Sequence, residues 1–182
     1  TLSADTKGDK TVAVGRSALG SQNFTTATDT YNVAVGYTAG LSITTGIFNV
    51  LIGGQAGDAI TDADFNVAVG TNTLSTNTLG SQNVAVGNAA LNAMNPASAA
   101  DMYNTAVGAS AGLSVTTGEG NTLVGGLAGD ALTDADFNVA VGKNALSSDT
   151  LGSFSTAIGI NCLEFQNFTT ATNSYNTAVG AL

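Results

Sequence analysis

The 182-residue chain has no histidine, no tryptophan, one cysteine, one proline and only four lysines and arginines. Without histidine, the commonest general base and metal ligand is missing, and a single cysteine excludes an internal disulfide framework. Four basic residues within a formal net charge of −9 argue against a nucleic-acid partner, because phosphates are bound by lysine and arginine. No apolar run approaches the ~20 residues of a membrane-spanning helix, so we expect no membrane insertion. These absences argue against an enzyme.

A short motif, Asn-Val-Ala-Val-Gly or a close variant, recurs ten times. Its glycines recur at a 17-residue or a 21-residue spacing, and one long spacing followed by three short ones forms a larger 72-residue repeat. Such self-similarity is typical of repeat architectures in which neighbouring units stack. The glycines that end the motifs are Gly15, Gly36, Gly53, Gly70, Gly87, Gly108, Gly125, Gly142, Gly159 and Gly180.

Each repeat is described by counting back from its glycine, and residues at one position in all repeats form a column. The residue one before the glycine is Val or Ile, two before is Ala or Leu, and three before is Val or Thr. Four before is usually Asn, and five before is aromatic in seven repeats. A β-branched run closed by glycine predicts a short strand and a turn. The sequence therefore predicts one continuous all-β domain over 1–182, a parallel β-solenoid (β-roll) of ten coils.

Stacked coils place equivalent side chains in ladders about 4.8 Å apart. We expect the asparagines to hydrogen-bond their own backbone at the turn that enters each strand, and the aromatic rings to stack on one another.

The strands are apolar on both faces, since the Val columns one and three before the glycine share one side and the Ala/Leu column faces the other. In a half-solvated solenoid the Ala/Leu column would be polar, so its apolar character predicts that it is covered. The cover comes either from the Ala-Leu segment of the same coil or from further copies of the chain. We favour the second and expect a homotrimer.

The motif, for instance Val33-Ala34-Val35-Gly36 and Val139-Ala140-Val141-Gly142, resembles the head repeats of YadA-type trimeric autotransporter adhesins. It is also similar to repeats of phage tail fibres and bacterial surface fibres. The resemblance covers the whole chain and implies a left-handed parallel β-roll that trimerises. It further implies an extracellular location, on a cell surface or a virion fibre.

These observations predict a structural rod of an extracellular fibre that mediates attachment: a tail-fibre shaft, an adhesin head or a surface filament. The alternative is a module that binds a cell-surface glycan or receptor through the long, 21-residue coils. Two of these coils share the stretch Phe-Thr-Thr-Ala-Thr, and its exposed residues would be Phe24, Thr25, Phe168 and Thr169.

Six of the thirteen acidic residues lie in two copies of Asp-x-x-x-Asp-x-Asp. Oxygen-rich clusters of this kind ligate Ca²⁺ in other proteins, although the spacing matches no known calcium loop. The candidate ligands stand beside the simpler interpretation of solvated turn aspartates. They are Asp58, Asp62, Asp64, Asp130, Asp134 and Asp136.

The sequence singles out no other cofactor site and no catalytic group. Cys162 occupies a column held mostly by alanine, three residues after the glycine, and is predicted to be a small buried thiol.

The first and last residues lie part-way through a coil, and a join of Leu182 to Thr1 would again give the short glycine spacing. This match predicts either head-to-tail stacking of chains or a segment taken from a longer fibre.

Overall fold

The computed structural model describes residues 1–181, and this part of the chain is all-β with no helix. Ten three-residue strands form one parallel sheet in which sequence neighbours are spatial neighbours. The chain is a β-solenoid of about ten turns, as predicted. The strands are Val12–Val14, Val33–Val35, Val50–Ile52, Val67–Val69, Val84–Val86, Thr105–Val107, Thr122–Val124, Val139–Val141, Thr156–Ile158 and Thr177–Val179.

The columns read from the sequence coincide with the register of the sheet. Val33 pairs with Val12 across a long coil and with Val50 across a short coil. Each long coil adds a two-residue strand that pairs with the coil before it. The insertion is therefore absorbed without shifting the long sheet. These short pairs join Gly8–Asp9 to Thr28–Asp29, Gly80–Ser81 to Ala100–Asp101, and Gly152–Ser153 to Thr172–Asn173.

The Ala/Leu column points into the solenoid. Ala34, Leu51 and Ala68 are completely buried, whereas the flanking valines are half-buried or exposed. Our expectation that further copies of the chain cover the Ala/Leu column was therefore wrong: its own coil covers it, and the two Val columns face outward. Small inward side chains are favoured because the coil is thin, and the side chains from its opposite sides share one core.

Large and small residues alternate inside this core. Leu51 replaces the usual alanine, and a Cβ added at Gly40 or Gly57 would lie 2.8 Å from a methyl group of Leu51. Glycine at these two positions, where other coils carry leucine, makes room for the Leu51 side chain. Leu123 lies in the same way between Gly112 and Gly129, one large repeat later.

Truncation of Leu51 to alanine is expected to destabilise the fold by about 2–5 kcal/mol, because the flanking glycines have no side chain to fill the cavity. Urea unfolding followed by circular dichroism measures the change. Leu127→Ala is the control, since Leu127 is 38% exposed and its truncation removes little buried area. Equal losses for the two variants would contradict this packing.

The asparagine column forms a buried ladder that links successive coils. The backbone N–H of Asn49 donates to Oδ1 of Asn32 at 2.9 Å, that of Asn66 to Asn49 at 3.0 Å, and that of Asn83 to Asn66 at 3.1 Å. The expected local bond is also present, through the amide nitrogen: Nδ2 donates to the carbonyl oxygen two residues earlier, at 3.1 Å in Asn49, 3.2 Å in Asn66 and 2.9 Å in Asn83. The side chain reaches the neighbouring coil because it points into the dry interior, where each backbone donor needs a partner.

The glycines that end the motif pack backbone against backbone. Gly53 has a φ of 138°, and a Cβ added there would lie 2.6 Å from the carbonyl carbon of Gly70 and closer still to its oxygen. The same clash recurs from Gly15 to Gly142 in the neighbouring members of the column. Only glycine permits this close stacking of coils.

Candidate interaction surfaces

Three adjacent columns form a mainly apolar surface along the rod, and we call it the outer face. It comprises the aromatic column, five before the glycine, and the two outward strand columns, three and one before it. Its side chains stay accessible along the rod: Val14 is 56% exposed, Phe65 53% and Tyr103 58%. The asparagine and Ala/Leu columns between them point inward, so the outer face is a ribbon of mainly apolar groups. Its aromatic column also contains Lys10, Gln82 and Gly120, and the column three before the glycine contains four threonines.

The rings of the aromatic column stack as predicted, in two runs. Tyr31, Phe48 and Phe65 have centroid distances of 5.2 and 4.8 Å, and a second run contains Phe137, Phe154 and Tyr175. The residues of this column have left-handed backbone angles, such as a φ of 58° at Phe48. This unusual conformation turns the rings outward at the corner that precedes each strand.

Tyr103 interrupts the stack. Its neighbours in the aromatic column are Gln82 and Gly120, so within residues 1–181 no ring stacks on Tyr103. The Gln82 amide instead donates to the Tyr103 hydroxyl at 3.3 Å, and that hydroxyl donates to Asp101 at 3.2 Å.

An acidic column borders the outer face on one side. It lies next to the aromatic column, six residues before the glycine, or seven in the long coils. In register, Asp9 pairs with Asp29 and Ser81 with Asp101. Its acidic members are Asp9, Asp29, Asp64, Asp101, Glu119 and Asp136.

One lysine of the chain already binds at this border. Nζ of Lys10 lies 2.6 Å from Asp29, donates to the Tyr31 hydroxyl at 2.9 Å, and lies 4.9 Å from the Tyr31 ring centroid. The hydrogen bond to Asp29 raises the pKa of Lys10 above its usual value. The acidic border of the outer face thus accommodates a cation between a carboxylate and an aromatic ring.

Two other cations lie at the opposite border, directly after the glycine. Arg16 follows Gly15 and Lys143 follows Gly142, and both side chains are exposed. Within the described residues, Lys10–Asp29 is the one salt bridge, so neither cation has a carboxylate partner in its own chain.

The predicted receptor residues do not form an exposed aromatic ridge. Phe24 is only 6% exposed and Phe168 is half-buried, whereas Thr25 and Thr169 are exposed. The prediction of an exposed Phe24 was wrong because the loop of the long coil turns this side chain inward. Phe168 lies against Gly152 of the preceding coil, where an added Cβ would be 2.7 Å from the ring.

Sequence reasoning missed the group that anchors this loop, the buried carboxylate of Asp149. It accepts hydrogen bonds from the backbone N–H of Gly152 at 3.1 Å and of Phe168 at 2.9 Å, and from the Gln166 amide at 2.6 Å. Asp5 makes a matching set of bonds two large repeats earlier. The sequence signal for this anchor was a repeat: Asp5 and Asp149 are separated by the same number of residues as Gln22 and Gln166.

The six aspartates considered for calcium do not converge. In residues 1–181 no group of three or more His, Cys, Asp or Glu side chains is placed to hold a metal ion. Asp62 accepts from the Thr45 hydroxyl and Asp64 from the Ile47 backbone N–H, and their equivalents Asp134 and Asp136 accept from Thr117 and Glu119. The carboxylates join neighbouring coils, and the geometry gives the calcium hypothesis no support.

Asp58 and Asp130 differ from the other four aspartates because Oδ1 of each is buried without a hydrogen-bond partner among the described residues. Burial raises the pKa of the Asp58 carboxyl, and hydrogen bonds from its own backbone N–H and the Gln55 side chain oppose this only in part. Burial likewise raises the pKa of Asp130.

The double variant Asp58→Asn/Asp130→Asn is expected to be more stable than the parent at pH 7. A raised native pKa means that ionisation costs more in the folded than in the unfolded chain, so stability falls as pH rises through the interval between the two pKa values. Because solvent screens these part-exposed carboxylates, we expect a gain below about 1 kcal/mol per site. Thermal unfolding at pH 7 and pH 3 measures it. The gain should vanish at pH 3, and an equal gain at both pH values would contradict this explanation.

Cys162 is buried, as predicted, with its thiol directed at the Ala178 carbonyl oxygen at 3.2 Å. No helix long and apolar enough to cross a membrane is found in residues 1–181.

No protein-family model, curated protein or solved structure matches the chain.

Proposed function

We propose that the chain is a structural rod of an extracellular fibre, as a tail-fibre shaft, an adhesin head or a surface filament, and that it contributes to attachment. The observation that supports this role is the use of nearly every column for stacking. The side chains and backbone of the glycine, asparagine and inward columns contact the neighbouring coils, as in the Asn49–Asn66–Asn83 ladder. A chain built in this way provides length and stiffness rather than a reaction site.

The proposal includes self-association as a homotrimer, with no catalytic role and no nucleic-acid partner. Support comes from the outer face, whose exposed valines and rings leave a mainly apolar ribbon on a single chain, with Gln82 and Gly120 as interruptions of its aromatic column. Surfaces of this kind are typical of subunit interfaces.

The location is tested by immunogold electron microscopy with antibodies raised against the purified chain. Gold particles are expected on fibres that project from virions or from the cell surface. Labelling confined to the cell interior would contradict the fibre role.

A glycan- or receptor-binding module is the second candidate, favoured by the exposure of Thr25 and Thr169 at equivalent places in two long coils. The test compares Thr25→Ala/Thr169→Ala with the exposed control Thr76→Ala in binding of the labelled chain to host cells or a glycan array. Loss of binding in the first variant alone supports this candidate, and equal binding by both removes it.

A further inference from the structure

We propose that Asp101 and Tyr103, at the acidic border of the outer face in the second long coil, bind a primary alkylammonium group of a ligand outside the chain. This inference goes beyond the proposed function, because a rod needs no such ligand. It depends neither on the fibre role nor on self-association.

The chain itself shows how such a site holds an ammonium group. In the first large repeat, Nζ of Lys10 donates to Asp29 at 2.6 Å and to the Tyr31 hydroxyl at 2.9 Å. The same nitrogen lies 4.9 Å from the Tyr31 ring centroid. A carboxylate and a hydroxyl thus accept from the cation, and the ring face attracts it. The Lys10 side chain is an internal counterpart of a ligand that ends in an alkylammonium group.

The same two acceptors recur one large repeat later as Asp101 and Tyr103, and Gln82 takes the place of the lysine. The Gln82 amide donates to the Tyr103 hydroxyl at 3.3 Å, and this hydroxyl lies 3.2 Å from the Asp101 carboxylate. The carboxylate, the hydroxyl and the side chain at position 82 are therefore brought together as in the first repeat. The glutamine supplies no positive charge to them.

The charge around Asp101 favours a cation. Residues 17–142 contain nine of the thirteen acidic residues and none of the four basic ones. Within the described residues the one salt bridge is that of Lys10, so Asp101 has no cationic partner in this part of its own chain. Asp64 and Glu119 belong to the same acidic column and add to the negative potential there.

Both acceptors are accessible to a ligand. Asp101 is exposed, and Tyr103 is 58% exposed. In the aromatic column Tyr103 lies between Gln82 and Gly120, and within residues 1–181 no ring stacks on it. No aromatic side chain of this part of the chain therefore competes with a cation for the face of the Tyr103 ring.

The third large repeat is a natural control. Tyr175 supplies the ring there, but Asn173 stands at the position of the Asp101 carboxylate. Phe154 stands at the position of the glutamine. The ring is kept and the charge is absent, so we expect no ammonium binding in this repeat.

The tyrosine signals in nuclear magnetic resonance test the site, because the chain has only four tyrosines. A chain with isotope-labelled tyrosine rings is titrated with butylammonium chloride and, separately, with sodium chloride at equal ionic strength. The Tyr103 ring signals are expected to shift saturably with butylammonium alone. Those of Tyr31, Tyr37 and Tyr175 are expected to stay unchanged. No shift of Tyr103, or an equal shift with sodium, overturns the proposal.

Two variants with the same change of charge test the carboxylate. Asp101→Asn copies the third repeat and should raise the dissociation constant of butylammonium at least roughly fivefold, because an exposed ion pair is lost. Asp134→Asn removes an exposed carboxylate outside the acidic column and should change the constant by less than about twofold. Equal losses in the two variants would show a response to net charge alone and would overturn the site.

The hydrogen bonds to the cation are tested with tetramethylammonium, which cannot donate. It is expected to bind more weakly than butylammonium, and equal binding would overturn the assignment of a primary ammonium group. A short lysine peptide distinguishes the two sources of such a group. Tighter binding of the peptide than of butylammonium indicates a protein partner, and equal binding indicates a small amine.

Lys10→Gln tests the site from the opposite direction. It changes an exposed residue and gives the first repeat the glutamine of the second. Asp29 and Tyr31 should then bind butylammonium, and a shift of the Tyr31 ring signals should appear that the parent chain does not show. Unshifted Tyr31 signals in a variant with the parent circular dichroism spectrum would overturn the proposal. Immunogold labelling decides the fibre role separately, so the two failures are distinguishable.

Discussion

Replacement of Gly53 by alanine is expected to lower stability by about 3–5 kcal/mol, a large loss for one added methyl group. The new Cβ would overlap the Gly70 carbonyl group, and it would be attached to a residue whose φ is 138°. Neither strain is relieved by a side-chain movement, because both the clashing atoms and the strained angle belong to the backbone. Urea unfolding followed by circular dichroism measures the loss.

The adjacent residue is a matched control. Gly54 has nothing within 4 Å of an added Cβ, so Gly54→Ala is expected to change stability by less than about 0.5 kcal/mol. A small effect of Gly53→Ala, similar to that of Gly54→Ala, would show that the coils do not stack glycine on glycine.

Replacement of Asn66 by alanine is expected to cost about 2–4 kcal/mol. Oδ1 of Asn66 accepts the backbone N–H of Asn83 at 3.1 Å and its side-chain amide at 3.0 Å. Alanine leaves the buried Asn83 backbone N–H without this acceptor, and the Asn83 side-chain amide keeps only its bond to the Ser81 carbonyl oxygen, at 2.9 Å. Chemical denaturation and amide hydrogen exchange at Asn83 measure the effect, and the exchange of that amide should accelerate most.

Asn88→Ala serves as the control, since Asn88 is exposed and makes only a 3.4 Å contact to the Thr71 carbonyl oxygen. We expect a change below about 0.5 kcal/mol. If Asn66→Ala were equally mild, the asparagine ladder would not contribute to coil stacking.

The architecture was readable from the sequence because a solenoid repeats its constraints. The glycine column needs a residue without a Cβ in every coil, and the asparagine column needs an amide in most of them. Both requirements therefore recur once per coil, at the short or the long spacing, and define the register that pairs Val67 with Val84.

The direction of the strand side chains could not be derived in the same way. Val and Ala alternate, both are apolar, and a three-residue strand has no polar face to mark the solvent. Which side is inside depends on the width of the coil: Ala34 and Ala68 fit a narrow core that larger side chains would overfill. The outward valines then form the exposed side of the sheet.

The surface predictions failed for a related reason. Phe24 was expected to be exposed because it belongs to an insertion. The loop instead folds back onto the coil, because the Asp5 carboxylate accepts hydrogen bonds from the backbone N–H groups of Gly8 and Phe24. The spacing of Asp58, Asp62 and Asp64 suggested a shared ligand, yet in a coil these residues lie at different positions around the cross-section. Proximity in the chain does not imply convergence in a solenoid.

Methyl nuclear Overhauser spectroscopy on a valine-labelled chain tests the ten-coil stack most directly. Cross-peaks are predicted between valines that pair across neighbouring coils, such as Val67 with Val84 across a short coil and Val12 with Val33 across a long one. The absence of these cross-peaks, or contacts that connect valines in another register, would contradict the solenoid.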